Sequence, residues 1–192
     1  WKETMITPTG HSIPMIMAIG NHEVIGSFSQ SPEQAKFFYA LFKYPEIKAY
    51  SSIDFGKYMT IMVLDSGHTQ PIEGVQREWL HSALTERADF PHKFAVYHVP
   101  AYPSYRKFKG PVSALIRSQW VPLFEQFGLN AAFEHHDHTY KRTHPIARDK
   151  IDPENGVLYL GDGAWGIAKP RRPDTPSDRW YLACTESKRH FI

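Results

Sequence analysis

The chain has 192 residues, of which 42% are hydrophobic and 22% charged, and its formal net charge is +2. These values are typical of a globular protein of about one domain and exclude wholesale disorder. The balanced charge excludes the broad basic footprint of a nucleic-acid-binding protein, and no apolar run approaches the roughly 20 residues of a membrane-spanning helix. A single cysteine, Cys184, excludes an internal disulfide and a cysteine-based zinc cage.

The first half of the chain predicts a strand, a helix, a hairpin and a second helix. A continuous apolar run that ends at a glycine is typical of a strand buried on both faces. Ser31 and Pro32 provide an N-cap and a first-turn proline for the first helix, and Gly56 marks the turn of the hairpin. These elements are expected at residues 13–19 (strand), 31–42 (helix), 51–55 and 58–64 (hairpin) and 74–88 (helix).

The second half continues the alternation of strands and helices. Gly128 is placed to end a helix, and a segment rich in proline and arginine over residues 168–178 precedes the last strands. The expected elements are residues 94–97 (strand), 114–127 (helix), 129–133 (strand), 156–160 (strand) and a final strand pair. This alternation predicts an α/β protein.

Metal-capable side chains follow three of the predicted strands: Asn21 after the first, His98 after residues 94–97, and His136 with His138 after residues 129–133. Ligands gather beyond the carboxyl ends of strands in α/β sheets, so these side chains should converge. Imidazoles and an amide oxygen suit zinc, manganese or iron better than magnesium or calcium. A single histidine at a strand end is more often structural than a ligand. The cluster after residues 129–133 has no packing explanation, however, and favours a metal site.

The order and spacing of these motifs resemble the calcineurin-like metallophosphoesterases, most closely those of the purple acid phosphatase type. The matching stretches are Gly-Asn-His-Glu at 20–23, Val-Tyr-His at 96–98 and His-Asp-His at 136–138. The resemblance implies the metallo-dependent phosphatase fold, a four-layer α-β-β-α sandwich, with residues 1–192 in one domain. The family's two aspartate motifs precede the asparagine motif and have no counterpart before Asn21. We therefore expect an N-terminally incomplete catalytic domain.

The resemblance also implies a ligand set. Asn21, His98 and His136 would bind one ion of a dinuclear centre of iron, zinc or manganese, and His138 would bind the other. The implied activity is hydrolysis of phosphate monoesters by a metal-activated hydroxide.

A second group of residues is implied to assist the reaction. His22 would stand beside the phosphate and protonate the leaving group. Glu23 would orient the His22 ring, and Glu23 or Asp137 would keep that ring charged.

The surroundings of the site depart from the family pattern in two places. His135 stands where the family usually has glycine, and together with Asp137 it is expected just behind the ligands. Plant-type purple acid phosphatases have a substrate-binding histidine pair where this chain has Arg106 and Lys107. Arg106, Lys107 and Tyr102 are therefore the candidate substrate-binding residues. Solvated loop charge explains the two cations equally well, and packing is the commoner use of a tyrosine.

Alternative interpretations stay open. The same metal pair would serve a phosphodiesterase, and a non-catalytic module would display residues 169–179 to a protein or polysaccharide. Asp65 and Asp162 also follow strands, but the resemblance places them outside the ligand set. The expected partner is a small phosphorylated substrate, without nucleic acid or membrane, and the resemblance favours a secreted or periplasmic location.

Overall fold

A computed structural model describes residues 5–42, 44, 48–161, 163–164 and 166–190. A 3₁₀ turn at Pro32–Ala35 leads into the first α-helix. The helices of this part of the chain are α1 (Lys36–Leu41), α2 (Val75–Glu86), α3 (Pro111–Gln119) and α4 (Val121–Gln126). Its strands are β1 (Ser51–Phe55), β2 (Met59–Val63), β3 (His92–Val96), β4 (Ala131–Glu134), β5 (Tyr140–Thr143), β6 (Ile146–Ala147), β7 (Lys150–Ile151), β8 (Leu158–Gly161) and β9 (Leu182–Glu186). In the ranges given above, no helix has the length and apolar character needed to span a membrane.

The large sheet has seven strands in the order β1-β2-β3-β4-β8-β5-β9. Its central strands β2, β3, β4 and β8 run parallel, while β1, β5 and β9 are antiparallel to their neighbours. Strands β6 and β7 form a separate two-stranded ribbon. Helix α2 connects β2 to β3, and helices α3 and α4 connect β3 to β4. The predicted α/β class is therefore confirmed, and the carboxyl ends of the parallel strands meet at one edge of the sheet.

Several predicted elements are confirmed. β1 and β2 form the hairpin, and Gly56 has the positive φ of 57° that its turn requires. The helix at Pro32 starts with a 3₁₀ turn and continues as α1. Gly128 follows α4 with φ 62°, as a helix-ending glycine does.

The predicted strand over residues 13–19 is wrong. Among the described residues no strand pairs with this segment, and Ile13 and Met15 are 44% and 39% exposed. Only its end, Ile19, is fully buried, in a small cluster that includes Phe38. An apolar run predicts burial, but it does not distinguish a sheet strand from an extended segment that packs on a few side chains.

Two further boundaries differ from the sequence prediction. The helix expected over residues 114–127 starts earlier, at Pro111, and breaks at Trp120 into α3 and α4. Pro122 follows the break, and it has no amide hydrogen to continue the preceding helix. The expected final strand pair is one strand, β9, whose partner β5 the sequence pattern did not indicate.

The main core lies between the sheet and helices α2 to α4. Leu80, Tyr97, Trp120 and Phe124 have no exposed surface. The Nε1 atom of Trp120 donates to the carbonyl oxygen of Ile72 at 2.9 Å, so the largest of these rings has its polar atom satisfied. The same core continues beneath the carboxyl edge of the sheet, where it supports the residues described below.

Tyr159, on β8, is an exception to this satisfied core. Its hydroxyl is buried and has no hydrogen-bond partner in the part of the chain that the structure describes. A buried hydroxyl without a partner costs roughly 1–3 kcal/mol. We therefore expect Tyr159→Phe to increase the free energy of unfolding, measured by urea denaturation, by about 1 kcal/mol.

The matched control for this prediction is Tyr181→Phe. The Tyr181 hydroxyl donates to the Pro103 carbonyl oxygen at 2.6 Å and accepts from Nη1 of Arg179 at 2.9 Å. Its removal should lower the free energy of unfolding. A loss of stability in Tyr159→Phe as large as that in Tyr181→Phe would contradict the assignment.

Candidate metal centre

Asn21, His98 and His136 converge at the carboxyl edge of the sheet. His98 follows the end of β3 and His136 follows the end of β4, and the parallel pairing of these strands brings their ends together. The Nε2 atom of His98 lies 2.8 Å from Oδ1 of Asn21 and 2.8 Å from Nδ1 of His136. Asn21 is 77 residues from His98 in sequence, so the fold alone makes this contact.

The three converging atoms can coordinate one cation together, whereas they cannot all be satisfied by hydrogen bonds to one another. Nε2 of His98 has either one hydrogen or one lone pair with which to serve both of its contacts. A cation accepts a lone pair from all three atoms at once. Two imidazole nitrogens and an amide oxygen are ligands that fit zinc, manganese or iron. We infer that these atoms fit one such ion.

Burial keeps both imidazoles in the form that binds metal. Burial lowers the pKa of His98 well below its ordinary value of 6.5, and the neighbouring His136 lowers it further. The pKa of His136 is lowered to about 3, first by burial and then by the positive charge of Arg106. Both rings are therefore neutral at pH 7, and neither must lose a proton to become a ligand.

Asn21, His98 and His136 are called the trio below. Within the described ranges no carboxylate is arranged with them to hold a metal ion. No group of three or more His, Cys, Asp or Glu side chains is arranged there to hold a metal ion. The trio is not such a group because one of its members is Asn21. These residues thus fit one ion, while the second ion of a dinuclear centre, with His138 as its ligand, stays a prediction.

His138 interacts electrostatically with His98 and His136, and His22 interacts electrostatically with His138. His138 has φ 61°, a left-handed backbone that is uncommon for residues other than glycine and often occurs at functional sites. Burial lowers the pKa of His138, and electrostatic interactions with Arg171, Arg106 and His22 lower it further. His22 itself is exposed. The predicted proton donor therefore interacts with the predicted ligand His138 and is open to solvent.

Glu23 holds the turn that carries Asn21. The backbone N–H of Gly20 donates to Oε2 of Glu23 at 2.8 Å, and the N–H of Glu23 donates to the Gly20 carbonyl oxygen at 3.2 Å. The Oε2 atom of this carboxylate is thus engaged by Gly20, so Glu23 supports the turn that carries Asn21. Orientation of the His22 ring by Glu23 stays a prediction.

Asp137 connects two loops by hydrogen bonds: the loop after β4, which carries His136, and the loop after β3. Its Oδ2 atom accepts the backbone N–H groups of Ser104 and Tyr105, both at 2.8 Å. Its Oδ1 atom accepts Nη1 of Arg106 at 2.9 Å, and the same nitrogen donates to the His136 carbonyl oxygen at 2.8 Å. Asp137 and Arg106 therefore fix the backbone that presents His136.

His135 is fixed through its backbone. Its N–H donates to the carbonyl oxygen of His98 at 3.0 Å, which extends the pairing of β3 and β4 to the ligands. A Cβ atom on Gly163 would lie 1.5 Å from the His135 carbonyl oxygen. The chain after β8 therefore packs closely against the backbone of His135. Burial, with the positive charge of Lys141, lowers the pKa of the His135 ring to about 4.

The candidate substrate-binding residues lie in different environments. Tyr102 is fully buried, and its ring centroid lies 4.5 Å from that of Tyr159 and 5.3 Å from that of Tyr181. It belongs to the core, so we no longer assign it to the substrate site. Lys107 is exposed, and Arg106 has one nitrogen engaged as described. Substrate binding by Arg106 and Lys107 stays a prediction.

Comparison with known proteins supports the motif resemblance. Residues 2–140 match the family model of the calcineurin-like phosphoesterases. The chain belongs to this family. The resemblance stated from the motifs is confirmed by that match.

This member of the calcineurin-like phosphoesterase family has curated relatives and solved neighbours that are longer than it is. The uncharacterized protein Rv2577 of Mycobacterium tuberculosis is 29% identical over 116 residues, which cover 50% of this chain and 22% of that protein. Purple acid phosphatase 18 of Arabidopsis thaliana is 29% identical over 108 residues, which cover 55% and 24%. The structure of purple acid phosphatase PPD1 from yellow lupin (Lupinus luteus) seeds has a TM-score of 0.71 and 18% identity, covering 92% of this chain and 35% of that chain. The lupin likeness shows the fold, and this chain spans about a quarter of the length of its curated relatives.

A buried ion pair beneath the candidate ligands was not indicated by the sequence. Glu134 and Lys141 have fully buried side chains, and Nζ of Lys141 donates to Oε2 of Glu134 and to the Tyr102 carbonyl oxygen. The Oε1 atom of Glu134 accepts the Tyr97 hydroxyl at 2.7 Å and the Ala101 N–H at 2.6 Å. The pair therefore joins β4 and β5 to the backbone just after β3. In sequence, a glutamate at a strand end is more often solvated.

The carboxylate of Asp65, after β2, stabilises the turn that follows it. Its carboxylate accepts three backbone N–H groups of the following residues at 2.7–2.9 Å. This turn places the ring of His68 against Phe28, and 5.4 Å from the ring of His98. Asp65 thus supports the wall of the site, in keeping with its expected place outside the ligand set. Asp162 lies outside the described residues.

Gly20 leaves room for the His98 ring. A Cβ atom at Gly20 would lie 2.8 Å from Nδ1 of His98 and 2.9 Å from two of its ring carbons. Gly20→Ala should therefore displace the ring and weaken Zn²⁺ binding, measured by competition with a chromophoric chelator, by about 10–100-fold. Gly10→Ala is the control, because no atom lies within 4 Å of that position, and it should change the affinity by less than about twofold. The φ of 81° at Gly10 strains an alanine there, so the melting temperatures of both variants are compared to separate loss of folding from loss of affinity. Equal affinity in the two variants would contradict this role of Gly20.

Proposed function

We propose that the protein hydrolyses phosphate monoesters at a dinuclear metal centre to which this chain contributes Asn21, His98, His136 and His138. The observation that carries the proposal is the approach of Oδ1 of Asn21 and Nδ1 of His136 to Nε2 of His98, both at 2.8 Å. Membership of the calcineurin-like phosphoesterase family supports ester hydrolysis. The names of the Arabidopsis relative and the lupin structure, both purple acid phosphatases, support a phosphatase.

The donor atoms present in this chain are sufficient to hold one ion of such a centre. Asn21, His98 and His136 would hold it, and His138 would be the first ligand of a second ion. When bound, the metal supplies positive charge for the phosphate oxygens and lowers the pKa of a water molecule. Iron, zinc and manganese all suit this donor set. A small phosphorylated substrate as partner and a secreted or periplasmic location belong to the same proposal.

In this proposal the side chains of the protein hold the ligand residues in place and provide the proton for the leaving group. Asp137 and Glu23 hold the loops that carry the ligands, so the ligand atoms do not need to be ordered at each turnover. His22 is exposed and interacts electrostatically with His138, and in this proposal a ring N–H of His22 faces the phosphate ester bound at the centre. That proton passes to the ester oxygen of the leaving group as the bond from phosphorus to that oxygen breaks.

His22→Ala tests the proposed proton donor. Phenyl phosphate has a poor leaving group that needs a proton, whereas p-nitrophenol leaves readily as the anion. We expect His22→Ala in the intact, metal-loaded protein to lower kcat for phenyl phosphate by about 100-fold or more and kcat for p-nitrophenyl phosphate by less than about tenfold. His81→Ala, an exposed histidine on α2, is the control and should leave both rates unchanged. Equal losses on both substrates would remove the acid role from His22.

The same assay decides between the alternative functions. Bis(p-nitrophenyl) phosphate as the better substrate would make the protein a phosphodiesterase. Absence of turnover on both esters, with metal bound, would instead leave a non-catalytic binding module.

A further inference from the structure

The segment rich in proline and arginine, residues 168–178, packs against the loop after β3. The backbone N–H of Asp174 donates to the Ser104 carbonyl oxygen at 2.7 Å, and Asp174 forms an ion pair with Arg179. The carbonyl oxygen of Asp174 accepts the hydroxyl of Thr185, on β9, at 2.9 Å. These contacts fasten the segment to both a strand and a loop of the site.

Arg171 is a residue of this segment that contacts a predicted ligand. Its backbone N–H donates to the carbonyl oxygen of His138 at 3.1 Å. Its guanidinium lies over the ring of Tyr105, 5.1 Å from the centroid, and Tyr105 is 47% exposed. Tyr105 is in turn held by its N–H, which donates to Asp137. Both the backbone and the side chain of Arg171 are thus placed by residues next to the predicted ligands.

The guanidinium of Arg171 differs from that of Arg106 in what it contacts. Nη1 of Arg106 is engaged by Asp137 and by the His136 carbonyl oxygen. The side chain of Arg171, in contrast, has no hydrogen bond or ion pair with any residue that the structure describes. Stacking on an aromatic face fixes the plane of a guanidinium and leaves the N–H groups at its edge available. Arg171 therefore presents a positioned charge, without an ion-pair partner among the described residues, next to the backbone of His138.

We propose that Arg171, stacked on Tyr105, binds the phosphate group of the substrate at the candidate metal centre. Two N–H groups at one edge of a guanidinium match two oxygens of a phosphate, and a monoester carries the dianionic group that gains most from such a pair. The inference rests on the proposed function for the identity of the reaction, but not for the binding of the anion. Residues 169–179 were considered above as a surface that binds a protein or polysaccharide partner. The present proposal gives Arg171, within that segment, a role in the candidate metal centre instead.

Binding of inorganic phosphate to the intact, Zn²⁺-loaded protein tests the proposal. We expect Arg171→Gln to raise the dissociation constant, measured by isothermal titration calorimetry, by about tenfold or more. The matched control is Arg172→Gln, the same change of charge one residue along at an exposed arginine, and it should alter the constant by less than about twofold. Arg171→Lys keeps the charge but loses the paired N–H groups, so its constant should lie between those of the wild type and Arg171→Gln.

The outcomes separate this inference from the proposed function. Absence of phosphate binding in the wild type, or equal constants for Arg171→Gln and Arg172→Gln, overturns the role of Arg171, whatever the rate of ester hydrolysis. A selective loss in Arg171→Gln supports it even if no ester is hydrolysed, a result that would overturn the proposed function alone. If esters are hydrolysed, Arg171→Gln should also raise KM for p-nitrophenyl phosphate more than it lowers kcat. The melting temperature of each variant, compared with the wild type, shows whether a loss comes from unfolding.

Discussion

Replacement of His98 with alanine should weaken the binding of Zn²⁺ by at least about 100-fold, more than the loss of a residue that only orients a ligand. His98 is the central member of the trio, since its Nε2 atom is the one that approaches both Asn21 and His136 at 2.8 Å. Without it the remaining two atoms have no shared contact. The affinity can be measured by competition with a chromophoric chelator, with the metal content of the purified protein as a second readout.

His92→Ala is the matched control for this prediction. His92 lies on the same strand, β3, at the end opposite to the site, and its ring contacts Tyr58. Its loss removes an imidazole from β3 without touching the trio, so the Zn²⁺ affinity should stay within about twofold of the wild type. Retention of wild-type affinity by His98→Ala, with the chain still folded, would show that the three converging atoms are not a metal site.

Replacement of Lys141 with methionine should lower the free energy of unfolding by about 3–5 kcal/mol, because it leaves a buried charge without its partner. The side chains of Glu134 and Lys141 are both fully buried. In the variant Glu134 keeps the hydrogen bonds from Tyr97 and Ala101 but loses the cation. Urea denaturation measures the change, and the surface control Lys150→Met should cost less than about 0.5 kcal/mol.

The double variant Glu134→Gln/Lys141→Met isolates the cause of this loss. Glutamine keeps an oxygen that accepts from Tyr97 and Ala101 but carries no charge. The double variant should therefore be more stable than Lys141→Met alone, by about 1 kcal/mol or more. A double variant that is less stable than the single one would show that packing, and not the uncompensated charge, causes the loss.

The convergence of Asn21, His98 and His136 could be predicted from the sequence because each of them follows an apolar run at a short distance. His98 and His136 follow parallel neighbours β3 and β4, and the rule that ligands gather at strand ends then brings them together. Asn21 was also predicted correctly to lie with them, although the strand expected before it does not form. Its position depends on the turn closed by Glu23, which holds it without a sheet.

Residues whose partners are distant in sequence could not be found in the same way. Lys141 and Arg171 look like surface cations, and only the fold shows that one is buried against Glu134 and the other stacks on Tyr105. Tyr102 illustrates the opposite error: its place in a loop beside charged residues suggested contact with substrate, yet its ring lies in the core. Local pattern gives residue type and spacing, whereas burial and pairing are set by contacts between distant segments.

The separation of the trio along the chain has a consequence for stability. The contacts of His98 span 77 residues to Asn21 and 38 residues to His136. A cation held by all three would join distant loops much as a covalent cross-link does, and closure of such loops restricts the unfolded chain. Loss of the ion would remove this link between the segments that carry Asn21, His98 and His136.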